Sequence, residues 1–296
     1  MWLKTIVILE PYMKKFALVA MLCASSYVQA TDSVNQEEWR QLSAENVVVM
    51  TLPHGNVYIE LAPQFSPKHA ERFKSLVQSG YYDDEKFYRV IDGFVAQAGP
   101  QDGSDKDKQV KALTMEDEFS VTDQFSYTLV QKNDMFAPQT GFKDGFALGH
   151  SPDEKKAWML HCPGVIAMAR GTEPDTGSSH FYITNGQAPR YLDRIMAVFG
   201  RVVHGMNHVQ AIQRTAGIEG QDKIEAATFT PMVKVRMMSD LPKAEQIQLQ
   251  VQNTDSQAYT KSLEERRNRS SAFFYKKPKP VLDICQTPVN TRIVKS

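Results

Sequence analysis

The chain has 296 residues, 42% of them hydrophobic and 23% charged, the balance of a soluble globular protein with room for one large domain or two small ones. Its 34 lysines and arginines offset 34 aspartates and glutamates, so nothing points to nucleic acid or an anionic membrane as the main partner. No apolar run in the body of the chain reaches the roughly 20 residues needed to cross a bilayer.

At the N-terminus, Met13-Lys14-Lys15 opens a basic region, Phe16 to Cys23 is apolar, and small residues lead up to Val28-Gln29-Ala30. That order predicts a secretory signal peptide cleaved after Ala30, with residues 1–12 as an upstream extension; the competing reading is a buried N-terminal helix. Bulky Met21-Leu22 suit a lipid-attachment site at Cys23 poorly, so a soluble exported protein, periplasmic in a Gram-negative bacterium, is expected. Two cysteines remain, Cys162 and Cys285. In an oxidising compartment they can pair; they can equally stay free and buried.

Residues 31–45 form a polar lead-in, flexible or with a short helix around Gln36 to Leu42. Val47 to Leu52 and Val57 to Leu61, around Pro53-His54-Gly55-Asn56, predict a β-hairpin. Ser66-Pro67 offers an N-cap and a first-turn proline for a helix carrying Ala70, Phe73, Leu76 and Val77, with Gly80 as its C-terminal stop. Phe87 to Ile91 and Gly93 to Gln97 read as short strands. Residues 100 to about 163 are rich in Asp, Lys, Gly, Ser and Gln and read as long loops, with a short strand over Phe125 to Val130. Strands resume at Gly164–Ala169, His180–Thr184 and Ala197–Val203. A second helix over Asn207 to Arg214 and a strand over Val233 to Met237 end the domain. Many short strands and two helices predict an antiparallel barrel rather than a parallel α/β sheet. From Leu241-Pro242 a polar extension begins, with a helix within 243–270 and an aromatic run, Ala272-Phe273-Phe274-Tyr275, expected to pack back on the barrel.

Three blocks carry chemistry. Phe87-Tyr88-Arg89-Val90-Ile91-Asp92-Gly93-Phe94-Val95-Ala96-Gln97-Ala98-Gly99 resembles the cyclophilin pattern F-H-R-x-I-x-G-F-x-x-Q-G-G. Gly164 to Ala169 with Ser178 to Ile183, then Leu192-Asp193 with Val198 to Val202, match further blocks in the family's order. The resemblance covers roughly residues 46 to 240. It implies a mainly β fold, a closed eight-stranded antiparallel barrel capped by two helices, with a long insertion at about 100–163 and an extension over 241–296.

The resemblance also implies an activity, peptidyl-prolyl cis/trans isomerisation of unfolded exported polypeptides by a monomer, with no cofactor, metal, nucleic acid or membrane span. Rotating an X–Pro amide means breaking its resonance, and the barrier is about 18–20 kcal/mol. No covalent step is needed, only a dry grip on the proline ring and a fixed donor that favours the twisted amide. By the same resemblance Arg89 is that donor, with Phe94 and Gln97 as its catalytic companions; Gln97 holds the arginine. Val95, Tyr182, Tyr191, Leu192 and Met196 line the substrate side together with His180, while main chain near Ala169 and Arg170 pairs with the extended peptide. Strand alternation independently puts Val95 and Gln97 on one face.

Four positions depart from the family. Met196 stands where histidine is common, His180 for glutamine, Arg170 for asparagine and Tyr191 for tryptophan. They leave a second reading, a catalytically weak binding module or chaperone for proline-containing segments; the tail from residue 243 onward leaves a third, a scaffold or assembly factor that recruits a partner through it. His204 and His208, four apart, suggest a metal pair, but Gly205 and the lack of a third ligand favour a solvated helix start.

Overall fold

The β-branched and aromatic runs of this chain alternate between two buried surfaces, and that alternation organises the fold. The computed structural model describes residues 38–215 and 228–294; the expected signal peptide and most of the lead-in lie outside them. Eight strands form one antiparallel sheet in the order β14-β2-β3-β13-β11-β12-β5-β4. They are β2 (Val47–Leu52), β3 (Gly55–Leu61), β4 (Lys86–Ile91), β5 (Val95–Gly99), β11 (Val165–Met168), β12 (Phe181–Thr184), β13 (Val198–His204) and β14 (Lys234–Met237). The sheet curls around Met50, Ile59, Phe73, Phe87, Ile166, Phe181 and Phe199. Helices α1 (Pro67–Gln78) and α3 (Met206–Gln210) contribute Phe73, Val77 and Val209 to the same core. The curl brings β14 and β4 together at a seam, not along a full ladder. Lys86 bridges Pro231, Phe87 N–H donates to Thr230 O at 3.0 Å, and Met232 N–H donates to Glu85 O at 2.7 Å. Proline has no N–H, so it cannot extend a ladder there.

Several local expectations need correction. Ser66 does not cap α1 with its side chain; its hydroxyl donates to Val198 O at 2.6 Å. The carboxylate of Glu116 takes the cap instead, accepting from Lys68 N–H at 3.2 Å and His69 N–H at 3.0 Å, where a negative charge suits the helix dipole. The second helix, expected over Asn207 to Arg214, ends at Gln210, and Gln213 N–H turns away to Thr230 Oγ1.

The segment expected to be long loops is largely a second sheet. β6 (Phe119–Ser120), β7 (Thr128–Lys132), β8 (Gln139–Lys143), β9 (Phe146–Ser151) and β10 (Lys156–Met159) pair in the order β6-β10-β9-β8-β7. A short helix, α2 (Asp105–Lys108), precedes them. Polar composition hid a hairpin signal, since Asp144 and Gly145 both take positive φ (51° and 80°) between Phe142 and Phe146, the geometry an Asp-Gly turn supplies. The inner face of this sheet, with Phe142, Phe146, Leu148 and Trp158, packs on the outer wall of the barrel at Val95, Ala167, Tyr182 and Val198.

Lead-in and extension share a third sheet. β1 (Trp39–Gln41) pairs with β15 (Gln248–Gln252), which pairs with β16 (Thr291–Val294), so Trp39 to Gln41 are strand within the stretch expected as a short helix. The polar helix of the extension is α4 (Gln257–Asn268). The aromatic run does not dock: Phe273 and Tyr275 are 83% and 88% exposed. The apolar contact comes instead from Tyr259 and Leu263, one helical turn apart, and from Leu282 and Ile284. Cys162 and Cys285 form a disulfide across 123 residues, which ties the extension to the segment leading into β11.

Restricting so long a segment of the unfolded chain is worth about 2–5 kcal/mol. The double variant Cys162→Ser/Cys285→Ser is therefore expected to lose about that much stability in urea denaturation. An unchanged midpoint would mean that the bridge adds nothing in solution.

Candidate active site

The three β-blocks singled out in the sequence meet on the outer wall of the barrel. Register does this: Arg89 on β4 lies opposite Gln97 on β5, Gln97 opposite Tyr182 on β12, and Tyr182 opposite Ala167 on β11. Directly paired residues share a face. Their neighbours Val90, Ala96, Ala98, Phe181 and Ile183 point into the barrel core.

The β4–β5 connection lifts Phe94 onto the same wall. Gly93 takes φ 68° in this turn, Phe94 N–H donates to Ile91 O at 3.2 Å, and Asn185 N–H donates to Phe94 O at 3.0 Å. The Arg89 Cζ atom lies 5.8 Å from the Phe94 ring centroid, within cation–π range. Arg89 is exposed. Among the described residues its side chain makes one hydrogen bond, from Nη1 to Gln97 Oε1 at 3.1 Å, and no ion pair. Gln97 Nε2 donates in turn to the Tyr88 hydroxyl at 2.7 Å. Burial pushes the Tyr88 phenol up to about 12, so it stays protonated at neutral pH.

An apolar wall lies beside the arginine. Val95 and Tyr182 are buried, with Phe94, Leu192 and Met196 half-buried against the same cluster. Tyr191 is 64% exposed and lies parallel to Phe94 at 6.5 Å between centroids. The hydroxyl of Tyr182 does not open toward the groove. It bonds His161 Nε2 at 2.9 Å, while His161 Nδ1 lies 3.0 Å from Asp193, which also accepts from Arg190 at 2.5 Å. Burial holds the Tyr182 phenol far above the ordinary tyrosine value, so it presents a neutral ring edge.

Not every residue expected at the substrate side faces it. His180 has both ring nitrogens engaged, Nδ1 with the Tyr88 hydroxyl at 2.8 Å and Nε2 with Asp107 at 3.1 Å. The Arg170 guanidinium is folded back on the carbonyls of Gly171, Thr172 and Ile195. Ala169 N–H donates to His180 O at 2.9 Å. The Ala169 carbonyl and the Arg170 main chain are thus what this stretch can offer a peptide. His161, Asp193, Arg190, Tyr88 and Asp107 escaped the sequence reading. Tyr88 sat inside the motif, and Leu192-Asp193 inside a matched block; nothing in the sequence ties His161 or Asp107 to them.

Residues 47–237 match the family described as cyclophilin type peptidyl-prolyl cis-trans isomerase/CLD. A probable peptidyl-prolyl cis-trans isomerase of Brucella suis biovar 1 (strain 1330) is 30% identical over 192 residues, 62% of this chain and 83% of that protein. The peptidyl-prolyl cis-trans isomerase CYP71 of Arabidopsis thaliana is 32% identical over 171 residues, 57% of this chain but 21% of that longer protein. The crystal structure of the cyclophilin AquaCyp293 from Hirschia baltica superposes with a TM-score of 0.70 at 26% identity, covering 88% of this chain and 95% of that one.

Removing the Tyr182 hydroxyl leaves His161 with an unpaired buried nitrogen, a loss of about 1–3 kcal/mol. Tyr182→Phe is expected to lower the urea midpoint accordingly, and a neutral result would mean the buried histidine finds another partner.

Proposed function

The chain belongs to the cyclophilin-type peptidyl-prolyl cis/trans isomerase family, and we propose that it acts on exported polypeptides through an arginine held over an apolar wall. The observation that carries this reading is Arg89, exposed, without a carboxylate partner among the described residues, and 5.8 Å from the Phe94 ring. Phe94, Val95, Tyr182, Leu192 and Met196 receive the proline ring and keep water off the amide. As the X–Pro bond twists, resonance is lost and the nitrogen lone pair localises, so a donor aimed there stabilises the half-rotated state more than either planar isomer. The guanidinium is suited to this, being permanently charged and rigidly planar. Gln97 fixes one edge of that plane, which lowers the entropy lost on engaging the amide. Met196, flexible and polarizable, fills the wall in place of histidine.

The order basic–apolar–small over residues 13–30 supports export, as does a disulfide, since such bonds persist in oxidising compartments. Unfolded chains with X–Pro bonds are the substrates this setting would supply, and assisting their folding is the role it suggests.

Arg89→Ala removes one preorganised donor, an effect of about 10²–10³ in rate by analogy with other such donors. The variant is expected to lose about that much kcat/KM in the cis-to-trans relaxation of an X–Pro peptide, with its melting temperature kept because the side chain is exposed. Equal relaxation by wild type and variant would favour the binding-module reading. For export, the protein expressed from its full sequence is expected in the periplasmic fraction with Thr31 as its first residue. An intact N-terminus in the cytoplasm would overturn that.

A further inference from the structure

We propose that Tyr88, His180 and Asp107 form a positioning relay that aims the Arg89 guanidinium from behind through Gln97. This rests on the reading of Arg89 as the amide donor. The four links run without a gap: Arg89 Nη1 to Gln97 Oε1 at 3.1 Å, Gln97 Nε2 to Tyr88 Oη at 2.7 Å, Tyr88 Oη to His180 Nδ1 at 2.8 Å, and His180 Nε2 to Asp107 Oδ1 at 3.1 Å.

For a neutral His180 imidazole, the direction of every proton in the chain follows from its two ends. Arginine only donates, so Gln97 must turn its oxygen to Arg89 and its amide N–H to Tyr88. Tyr88 therefore accepts from Gln97, and its own O–H is left to donate to His180 Nδ1. That nitrogen is then unprotonated, so Nε2 carries the hydrogen and gives it to the carboxylate, which only accepts. With that neutral imidazole, a donor-only group at one end and an acceptor-only group at the other leave a single arrangement, and a Gln97 amide flip would break two bonds at once.

The far end is anchored. Asp107 Oδ2 accepts from Gly103 N–H at 3.0 Å, and Ser104 caps α2 by accepting from Asp107 N–H at 3.2 Å. The same short helix is tied to the barrel by Lys106, which pairs with Glu85 and lies 4.8 Å over the Tyr81 ring. His180 has a seat cut for it, since a Cβ at Gly99 would fall 2.6 Å from its Nδ1. The Tyr88 and His180 rings meet edge to face at 5.6 Å. His180 is therefore a positioning residue, and its difference from the family's usual glutamine is matched by an aspartate from the segment that follows β5. A relay of this kind explains how a long, exposed side chain keeps one orientation before substrate arrives.

The test is a double-mutant cycle on kcat and KM, using cis-to-trans relaxation of an X–Pro peptide at varied peptide concentration. Tyr88→Phe and His180→Ala are expected to lower kcat about three- to tenfold, the worth of one hydrogen bond, with KM within about twofold. His180→Gln, which restores an acceptor to Tyr88, is expected to recover most of kcat. In the Arg89→Ala background, Tyr88→Phe is expected to cost nothing further, because a relay that acts through Arg89 has no object once it is gone. Wild-type kcat in both Tyr88→Phe and His180→Ala would overturn the relay, and so would an undiminished effect of Tyr88→Phe in the Arg89→Ala background. Full activity of Arg89→Ala alone would instead overturn the reading of the active site.

Discussion

A β-strand sends its side chains alternately to two faces, and here β5, β11 and β12 have both faces buried. Ala96, Ala98, Ile166, Phe181 and Ile183 fill the barrel, while Val95, Ala167 and Tyr182 face outward into a second apolar cluster. Because register is fixed from both sides, a slip of one residue would invert two cores at once. That constraint holds Arg89, Gln97 and Tyr182 in one transverse row. The proposed chemistry needs such a row, since a donor displaced by an ångström loses much of its preference for a twisted amide.

The second cluster exists because the insertion and the extension cover the wall beside that row. Their attachment combines apolar contact with partly buried charge. Glu60, 4% exposed, accepts from Arg201 at 2.9 Å and Arg40 at 2.6 Å, and the two arginines also reach the carbonyls of Gly145 and Asp144 in the β8–β9 turn. Asp193 likewise joins His161 and Arg190, and Arg190 continues to Asp134 in the insertion at 3.0 Å. Breaking one member of a buried set such as these typically costs 3–5 kcal/mol, far more than an exposed pair gives. The insertion is thus fixed to the wall of the site, and it supports Tyr182 through His161 and Arg190.

The four departures from the family pattern acquire different meanings in three dimensions. Met196 stays within the apolar wall, and Tyr191 keeps a stacked ring beside Phe94 in the place of tryptophan. Arg170 keeps its charge but spends its N–H groups on the carbonyls of Gly171, Thr172 and Ile195. His180 turns away from the substrate side toward Asp107. One substitution is thus a change of filling, one a change of ring, one a loop brace, and one the start of a polar chain leading back to Arg89.

Local chemistry made most of the barrel legible. Strand runs, the Pro67 helix start and the Gly80 stop are short-range signals, and the ordered blocks around Arg89, Ala169 and Leu192 carried the site. Two features stayed hidden. The insertion's strands are short and polar on one face, so their period shows only once a wall exists to bury the other face. The relay and the His161 cluster join residues 73 and 21 positions apart, and no spacing rule links a histidine to an aspartate or tyrosine on another segment. Signals that act within a few residues were written in the sequence. Pairings set by register and packing, including the disulfide and the partners of His180, were decided only when the sheets closed on one another.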